Sequence, residues 1–128
     1  MRYKPIVLAI PIAASLAVLT WLLFLSPEDR WDKQAREQTV EIARPLIAAI
    51  NHYIADHAAP PSSLSDLTPQ YLDQIPTPTV GSRTWIYRLD PSGIPNDPGF
   101  SLSVESTGPD YRAFYYIPTK DKWTFADF

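Results

Sequence analysis

Residues 40–57 read VEIARPLIAAINHYIADH, and this stretch decides how the rest of the chain must fold. Its apolar residues recur every three or four positions, which is the spacing of one face of an α-helix. The apolar stripe consists of Val40, Ala43, Leu46, Ile47, Ile50, Tyr53 and Ile54. Charged residues occupy the opposite side, so the sequence predicts an amphipathic helix that needs a second layer to cover its apolar face. Pro45 lies inside the pattern and predicts a kink near residues 41–45.

Upstream of this stretch, the residues Ser26-Pro27-Glu28-Asp29 have the composition of a helix start. A serine can cap a helix, proline suits the first helical position, and acidic side chains favour the positive end of the helix dipole. We therefore expect the amphipathic helix to run from residues 26–29 to about His57. The residues Ala58-Ala59-Pro60-Pro61 end it.

An apolar segment precedes the helix start: residues 6–25, from Ile6 to Leu25, read IVLAIPIAASLAVLTWLLFL and contain no charge. Twenty helical residues span about 30 Å, the thickness of the hydrocarbon core of a bilayer. Arg2 and Lys4 precede the segment, so the positive-inside rule predicts a cytoplasmic N-terminus and an exported remainder. The sequence thus predicts a single-pass inner-membrane protein whose partner is the bilayer. Residues 1–26 form the cytoplasmic tip and transmembrane signal-anchor helix, and residues 27–128 form a periplasmic domain.

Two other interpretations of the apolar segment remain open. A secretory signal cleaved near Ala13-Ala14-Ser15 would release a soluble domain, and a buried core helix would need no membrane. Signal peptides have shorter apolar regions, of about 7–15 residues, that end at the cleavage site. This run continues to Leu25, which favours the uncleaved anchor.

Composition argues against several classes of protein. The chain has 128 residues and no cysteine, so it has neither a disulfide framework nor a lipoprotein anchor. Without Arg2 and Lys4, nine basic and fourteen acidic residues remain, a net charge of −5. The basic residues are scattered, which argues against nucleic-acid binding. With four glycines and no glycine-rich phosphate loop, the sequence shows no nucleotide site.

The C-terminal part has the period-two alternation of β-strands. Trp85, Tyr87 and Leu89 alternate with Thr84, Ile86 and Arg88, and Phe100, Leu102 and Val104 alternate with polar neighbours. Residues 113–117 form an aromatic-rich third run, and Trp123 with Phe125 indicates a fourth. Ser63-Leu64-Ser65-Asp66 has the form of a capping box and predicts a short helical turn. The predicted fold class is α+β: an N-terminal transmembrane helix, then an amphipathic helix packed on a small antiparallel sheet of three to four strands.

From residue 50 to residue 87 the sequence resembles the body of type II secretion pseudopilins and related type IV pilin-like proteins. The matching residues are Tyr53, Asp56, His57, Pro60 or Pro61, Leu64, Leu67, Pro69, Tyr71, Leu72, Ile75 and Pro76. Ser106-Thr107-Gly108-Pro109-Asp110 is similar to a turn near the end of major pseudopilins. The resemblance implies a pilin-like periplasmic domain in an envelope secretion or pilus-type assembly. The chain departs from the family because it has no Gly-Phe processing site and no glutamate inside the apolar segment.

Metal sites are weighed from two groups of residues. Asp90 and Asp97 lie in a Pro/Gly loop, and the pseudopilin resemblance adds Asp110, so these three residues are candidate calcium ligands. Their spacing fits no EF-hand, and aspartates are also ordinary turn residues. His52, Asp56 and His57 are spaced so that they could bind a metal ion or act as a histidine base oriented by a carboxylate. They could equally be polar residues at the end of a helix. Calcium is the only cofactor considered, and otherwise none is expected.

Aromatic side chains near the C-terminus are the candidates for partner binding. Tyr111, Phe114 and Tyr116 are the predicted contact residues, although alternating aromatics more often divide between the core and the sheet surface. No catalytic set is found in the sequence, so we expect no enzyme. The leading hypothesis is a pilin-like subunit or accessory protein that contacts other envelope membrane proteins. The alternative is a stand-alone membrane-tethered binding or sensing module.

Overall fold

The computed structural model describes residues 29–90 and 96–128. These residues form helix α1 (Lys33–His57), a 3₁₀ helix (Leu64–Leu67) and four strands: β1 (Ile86–Leu89), β2 (Phe100–Glu105), β3 (Arg112–Ile117) and β4 (Lys122–Asp127). All neighbouring strands are antiparallel, in the order β1-β2-β3-β4. The fold is therefore one helix on a simple meander of strands.

Helix α1 begins later than the sequence predicts. Asp32 is its N-cap, and the Asp32 carboxylate accepts a hydrogen bond of 3.2 Å from the backbone N–H of Ala35. Asp29 is not helical, and residues 26–28 lie outside the described residues. The predicted start at residues 26–29 is therefore wrong. The predicted end is confirmed, because Ala58 adopts a left-handed conformation and its N–H donates to the carbonyl of Ile54.

The predicted fold class needs a correction in its membrane part. Among residues 29–90 and 96–128, no helix has both the length and the apolar character needed to cross a bilayer. The only α-helix there is α1, which is amphipathic and packs on the sheet. The transmembrane helix predicted for residues 6–25 lies outside the described residues. What the structure shows is one α-helix with a four-stranded antiparallel sheet.

The core lies between α1 and one face of the sheet, here called the inner face. Leu46 and Ile50 of α1 are fully buried against Leu102 of β2 and Tyr116 of β3. The alternation predicted for β2 is confirmed, because Phe100, Leu102 and Val104 are buried while the serines between them are not. The apolar stripe of α1 thus finds its second layer in the sheet, as two-layer packing requires.

Residues 76–83 form a connector that runs along α1 before the chain enters β1. Thr79 is fixed to the helix: its N–H donates to Thr39 Oγ1 at 3.1 Å, and its hydroxyl donates to the carbonyl of Ala35 at 2.9 Å. Thr39 is completely buried. These bonds satisfy polar groups inside the core and fix the route by which the sheet is reached.

Candidate functional site

The end of α1 is joined to the following turn by a group of aromatic and acidic side chains. The Tyr71 hydroxyl donates a 2.7 Å hydrogen bond to the Asp56 carboxylate. The rings of Tyr53 and His57 stack with centroids 4.0 Å apart, and Tyr71 meets Tyr53 edge-on. The hydrogen bond to Asp56 raises the pKa of Tyr71 to about 12, since the charged carboxylate stabilises the protonated phenol. Residues that match the pseudopilin sequence pattern therefore contact one another.

This arrangement engages the residues considered for metal or acid–base chemistry. Asp56 accepts from Tyr71, and Nδ1 of His57 lies 3.0 Å from the carbonyl oxygen of Tyr53, in its own helix. Throughout residues 29–90 and 96–128, no three His, Asp or Glu side chains are grouped so that they could hold a metal ion. The contacts of Asp56 and His57 are those of a helix end packed against a turn.

The three candidate calcium ligands lie at different ends of the sheet. Asp90 follows β1, and its N–H donates to the carbonyl of Gly99, so it lies beside the start of β2. The Asp97 carboxylate accepts from the N–H of Gly99 at the same end. Asp110 lies in the turn after β2, beyond six strand residues that extend about 20 Å. The structure therefore separates Asp110 from Asp90 and Asp97.

The predicted aromatic contact residues divide between the core and the surface. Phe114 and Tyr116 are only 5% and 6% exposed, so assigning them to a contact surface is corrected. Both point to the inner face, where Phe114 stacks on Trp123 at 4.9 Å between ring centroids. Tyr111 is 49% exposed and lies against Phe128, with ring centroids 5.9 Å apart. Of the three, Tyr111 alone offers its ring to solvent.

Two tyrosines of the inner face, the half-buried Tyr87 and the buried Tyr116, hold neighbouring loops. The Tyr87 hydroxyl donates to the carbonyl of Pro61 at 2.7 Å, and the Tyr116 hydroxyl donates to the Asp121 carboxylate at 2.6 Å. Burial raises the pKa of Tyr87 to about 12. Burial and the bond to Asp121 also hold the pKa of Tyr116 above its ordinary value. Both phenols stay protonated near neutral pH and act as donors.

The other side of the sheet is here called the outer face: Arg88, Tyr115 and Lys122 are exposed on it, Ala113 is buried, and its other residues are half-buried. Its residues follow from the strand register: Ile86, Arg88, Ser101, Ser103, Glu105, Ala113, Tyr115, Ile117, Lys122, Thr124 and Ala126. None of them belongs to either core cluster. Tyr115, 36% exposed, lies near the centre between Ser103 and Thr124. A sheet face of small, apolar and aromatic side chains that the core does not use is a candidate contact surface.

No family model, curated protein or solved structure matches this chain. The resemblance to pseudopilins therefore stays a prediction from the residues quoted above, and the geometry of the domain has to carry the functional argument.

A groove of about 600 Å³ opens between α1 and the β3–β4 turn. Its apolar lining includes Val40, Ile47 and Trp123, and polar groups come from Arg44, Asn51 and Asp121. Arg44 is paired with Glu41 at 3.0 Å, and Asp121 accepts from Tyr116. Polar groups contribute more of the lining surface than apolar ones, so the groove suits a polar ligand better than the largely apolar ligands of most small-molecule sites.

Sequence reasoning missed Tyr115, the central residue of the outer face. The signal was present, because side chains alternate along a strand and Tyr115 lies between Phe114 and Tyr116. If its two neighbours point inward, Tyr115 has to point outward. Which of the two alternating sets of β3 side chains faces the helix follows only from the register of the whole sheet, in which Phe114 pairs with Val104 and Phe125.

Proposed function

We propose that this chain is a non-catalytic, membrane-attached contact protein of a pilin-like envelope assembly. Residues 6–25 contact the lipid of the inner membrane, and the described domain lies on the periplasmic side. The outer face of the sheet binds a protein partner. The single observation that carries the proposal is that the sheet uses one face for the core and leaves the other, centred on Tyr115, outside both core clusters.

The resemblance to pseudopilins adds support from a second direction. Tyr53, Asp56 and Tyr71 belong to the pseudopilin-like phrase, and they lock the end of α1 to the next turn through the bonds described above. Leu64 and Leu67, from the same phrase, pack on the core cluster of α1. The residues that match the pseudopilin pattern thus have a structural role in this chain, as expected if its domain has the same architecture as a pseudopilin.

The proposal is tested by substituting the centre of the outer face. Tyr115→Glu places a charge on a partly exposed position, so the fold is retained while an apolar contact is lost. The full-length protein is crosslinked in its native membranes, recovered by an affinity tag, and its partners are identified by mass spectrometry. We expect recovery of a secretion ATPase, its membrane platform or processed pseudopilins, reduced about tenfold by Tyr115→Glu, as about 1.4 kcal/mol of lost contact predicts.

The matched control is Gln70→Glu, an added charge on an exposed residue far from the sheet face. It should leave recovery unchanged. Near-ultraviolet circular dichroism shows whether each variant keeps its packed aromatic core. Recovery that is equal for Tyr115→Glu and the native chain, or the absence of all three kinds of partner, would overturn the proposal.

A stand-alone binding or sensing module is the second candidate, and the groove between α1 and the β3–β4 turn favours it. Trp123 lies in that groove, so a ligand entering it changes the fluorescence of this residue. Recovery of the intact chain without any machine component would support this candidate. A Trp123→Phe variant then separates the signal of the groove from that of the other tryptophans.

A further inference from the structure

The charges of the outer face are placed at its two ends. Arg88 of β1 and Lys122 of β4 lie at the end next to the β3–β4 turn. Glu105 of β2 lies at the opposite end, opposite Ala113. Residues in the middle row are uncharged and pair across the strands: Ile86, Ser103, Tyr115 and Thr124. The strand residues of the face therefore form a basic row, a neutral row and an acidic row, and the exposed Asp90 follows Arg88 by two positions, just beyond the basic row.

The three charged groups in these rows have no ion-pair partner among the residues that the structure describes. The four ion pairs among residues 29–90 and 96–128 involve neither Arg88, Lys122 nor Glu105. The Glu105 carboxylate accepts a long hydrogen bond of 3.5 Å from the Tyr111 hydroxyl. The charges remain available to a partner that brings the complementary pattern.

We propose that the partner of the outer face is a second copy of this chain, packed face to face with its strands running in the opposite direction. This inference rests on the proposed function: the paired copies are the form in which the chain joins the envelope assembly, so Tyr115→Glu, which separates the copies, also lowers recovery of the other components. Two copies related by a two-fold axis present the same surface to each other, so the surface must complement itself. The charge pattern of this face does so in one orientation.

Two orientations of the axis can be compared directly. If the axis runs along the strands, the rows keep their order, so Arg88 faces the second copy's Lys122 and the two Glu105 side chains approach each other. If the axis runs across the strands, the rows reverse, and Glu105 lies over the second copy's basic row, one strand away from its Arg88. Like charges repel in the first arrangement, and opposite charges meet twice in the second.

The middle row lies on the two-fold axis in the favoured orientation. Each of its residues then faces its own counterpart, so Tyr115 meets the second copy's Tyr115 and Ser103 meets the second copy's Ser103. Two aromatic rings at this position can stack in an offset arrangement. The neutral row provides apolar contact at the centre, and the charged rows fix the direction.

The size of the face sets the strength of the association. Three strands of six residues and one of four, about 4.8 Å apart, give a contact of about 350 Å² on each copy. That is at the small end for protein interfaces, which typically bury about 800 Å² per partner. We therefore expect a weak dimer that forms at the high local concentration of a membrane, where tethering makes the encounter effectively intramolecular.

Single-cysteine crosslinking of the full-length protein in its membrane tests the arrangement, because the chain has no cysteine of its own. Ser103→Cys, in the middle row, should give a crosslinked dimer with a short thiol-reactive reagent. Ser101→Cys, two residues along β2, should give little. Reversal of the rows displaces the two copies of residue 101 by about 13 Å along the strands, in addition to the spacing of about 10 Å between sheets.

Charge reversal provides the second half of the test, in the Ser103→Cys background. Arg88→Glu or Glu105→Lys alone should lower the yield of dimer about fivefold, and the two together should restore it. Raising the salt to about 1 M should also lower the yield of the native pair, because screening weakens exposed charge pairs. Ser62→Cys, on an exposed loop away from the sheet, is the background control.

Three outcomes would overturn the inference. Ser103→Cys could crosslink no better than Ser62→Cys, Ser101→Cys could crosslink as well as Ser103→Cys, or the double charge reversal could fail to rescue the single ones. If any of these occurs while Tyr115→Glu still removes the envelope partners, the second copy is excluded and the proposed function stands. If Tyr115→Glu has no effect on partner recovery either, both are overturned.

Discussion

The hydrogen bond between Tyr71 and Asp56 is the residue-scale feature that gives the domain a pH-dependent contact. The phenol donates to a carboxylate, so loss of its proton removes the donor and places two negative charges side by side. The folded pKa of Tyr71, about 12, lies above the ordinary value of 10.0. The contact is therefore complete below pH 10 and is lost as the pH rises toward 12.

Asp56→Asn tests the cause of this shift. The amide can still accept a hydrogen bond but has no charge, so Tyr71 should titrate close to its ordinary pKa. Absorbance at 295 nm would then show one of the seven tyrosines moving to lower pH. Asp73→Asn, which removes an exposed carboxylate that makes no contact with Tyr71, should leave the curve unchanged. Identical curves for the native chain and Asp56→Asn would contradict the assignment.

At the scale of elements, the connector of residues 76–83 passes between residues 30–31 and the sheet, and Gly81 makes this passage possible. Its φ is +53°, a conformation that is costly for other residues. Its N–H donates to the carbonyl of Arg30 at 3.1 Å. A Cβ atom at this position would lie 2.6 Å from the carbonyl oxygen of Glu105 and 2.6 Å from the ring of Trp31.

Gly81→Ala should therefore destabilise the domain by about 2–4 kcal/mol, the sum of left-handed backbone strain and overpacking. Denaturant unfolding followed by tryptophan fluorescence measures this directly. Gly108→Ala is the matched control, because no heavy atom lies within 4 Å of the added methyl group there. Equal unfolding midpoints for the two alanine variants would contradict the steric argument.

The elements that sequence reasoning predicts well are those with a strong local period. The run Phe100, Leu102, Val104 identifies β2 and its buried side, because alternation along a strand needs no knowledge of the rest of the chain. The helix start was mispredicted because two segments carry capping residues. Asp32 caps α1, while Asp29 is drawn away to bind Thr107, 78 residues later. No local signal distinguishes a helix start capped by Ser26 from one capped by Asp32.

Contacts between distant residues explain why the candidate site was predicted only in part. Thr39 and Thr79 are 40 positions apart, and nothing near either one indicates that they form a buried pair. Likewise, the aromatic cluster was recognised from composition, but its division into the buried Phe114 and Tyr116 and the exposed Tyr115 depends on which side of β3 faces α1. Packing of the two layers decides this, so it follows from the whole domain.

For the whole molecule, an acidic residue ties the segment before α1 to the turn between β2 and β3. The Asp29 carboxylate accepts hydrogen bonds from the N–H of Thr107 at 2.6 Å and from its hydroxyl at 2.8 Å. Thr107 lies in the turn between β2 and β3, at the end of the sheet that carries Glu105. The acidic row of the outer face therefore lies at the entry end of the domain, and the basic row lies at the far end.

Asp29→Ala removes both bonds and should free the entry segment without unfolding the core. Losing about 1 kcal/mol of local stability should speed tryptic cleavage after Arg30 about fivefold, since cleavage follows the population of the opened segment. Mass spectrometry of timed digests identifies the site. Asp110→Ala is the matched control: it lies in the same turn and is exposed, but its contact with Ser106 uses the backbone carbonyl. Native-like cleavage of Asp29→Ala would show that Trp31 and the connector hold the entry segment by themselves, and the direction of the outer face relative to the entry point would then not depend on Asp29.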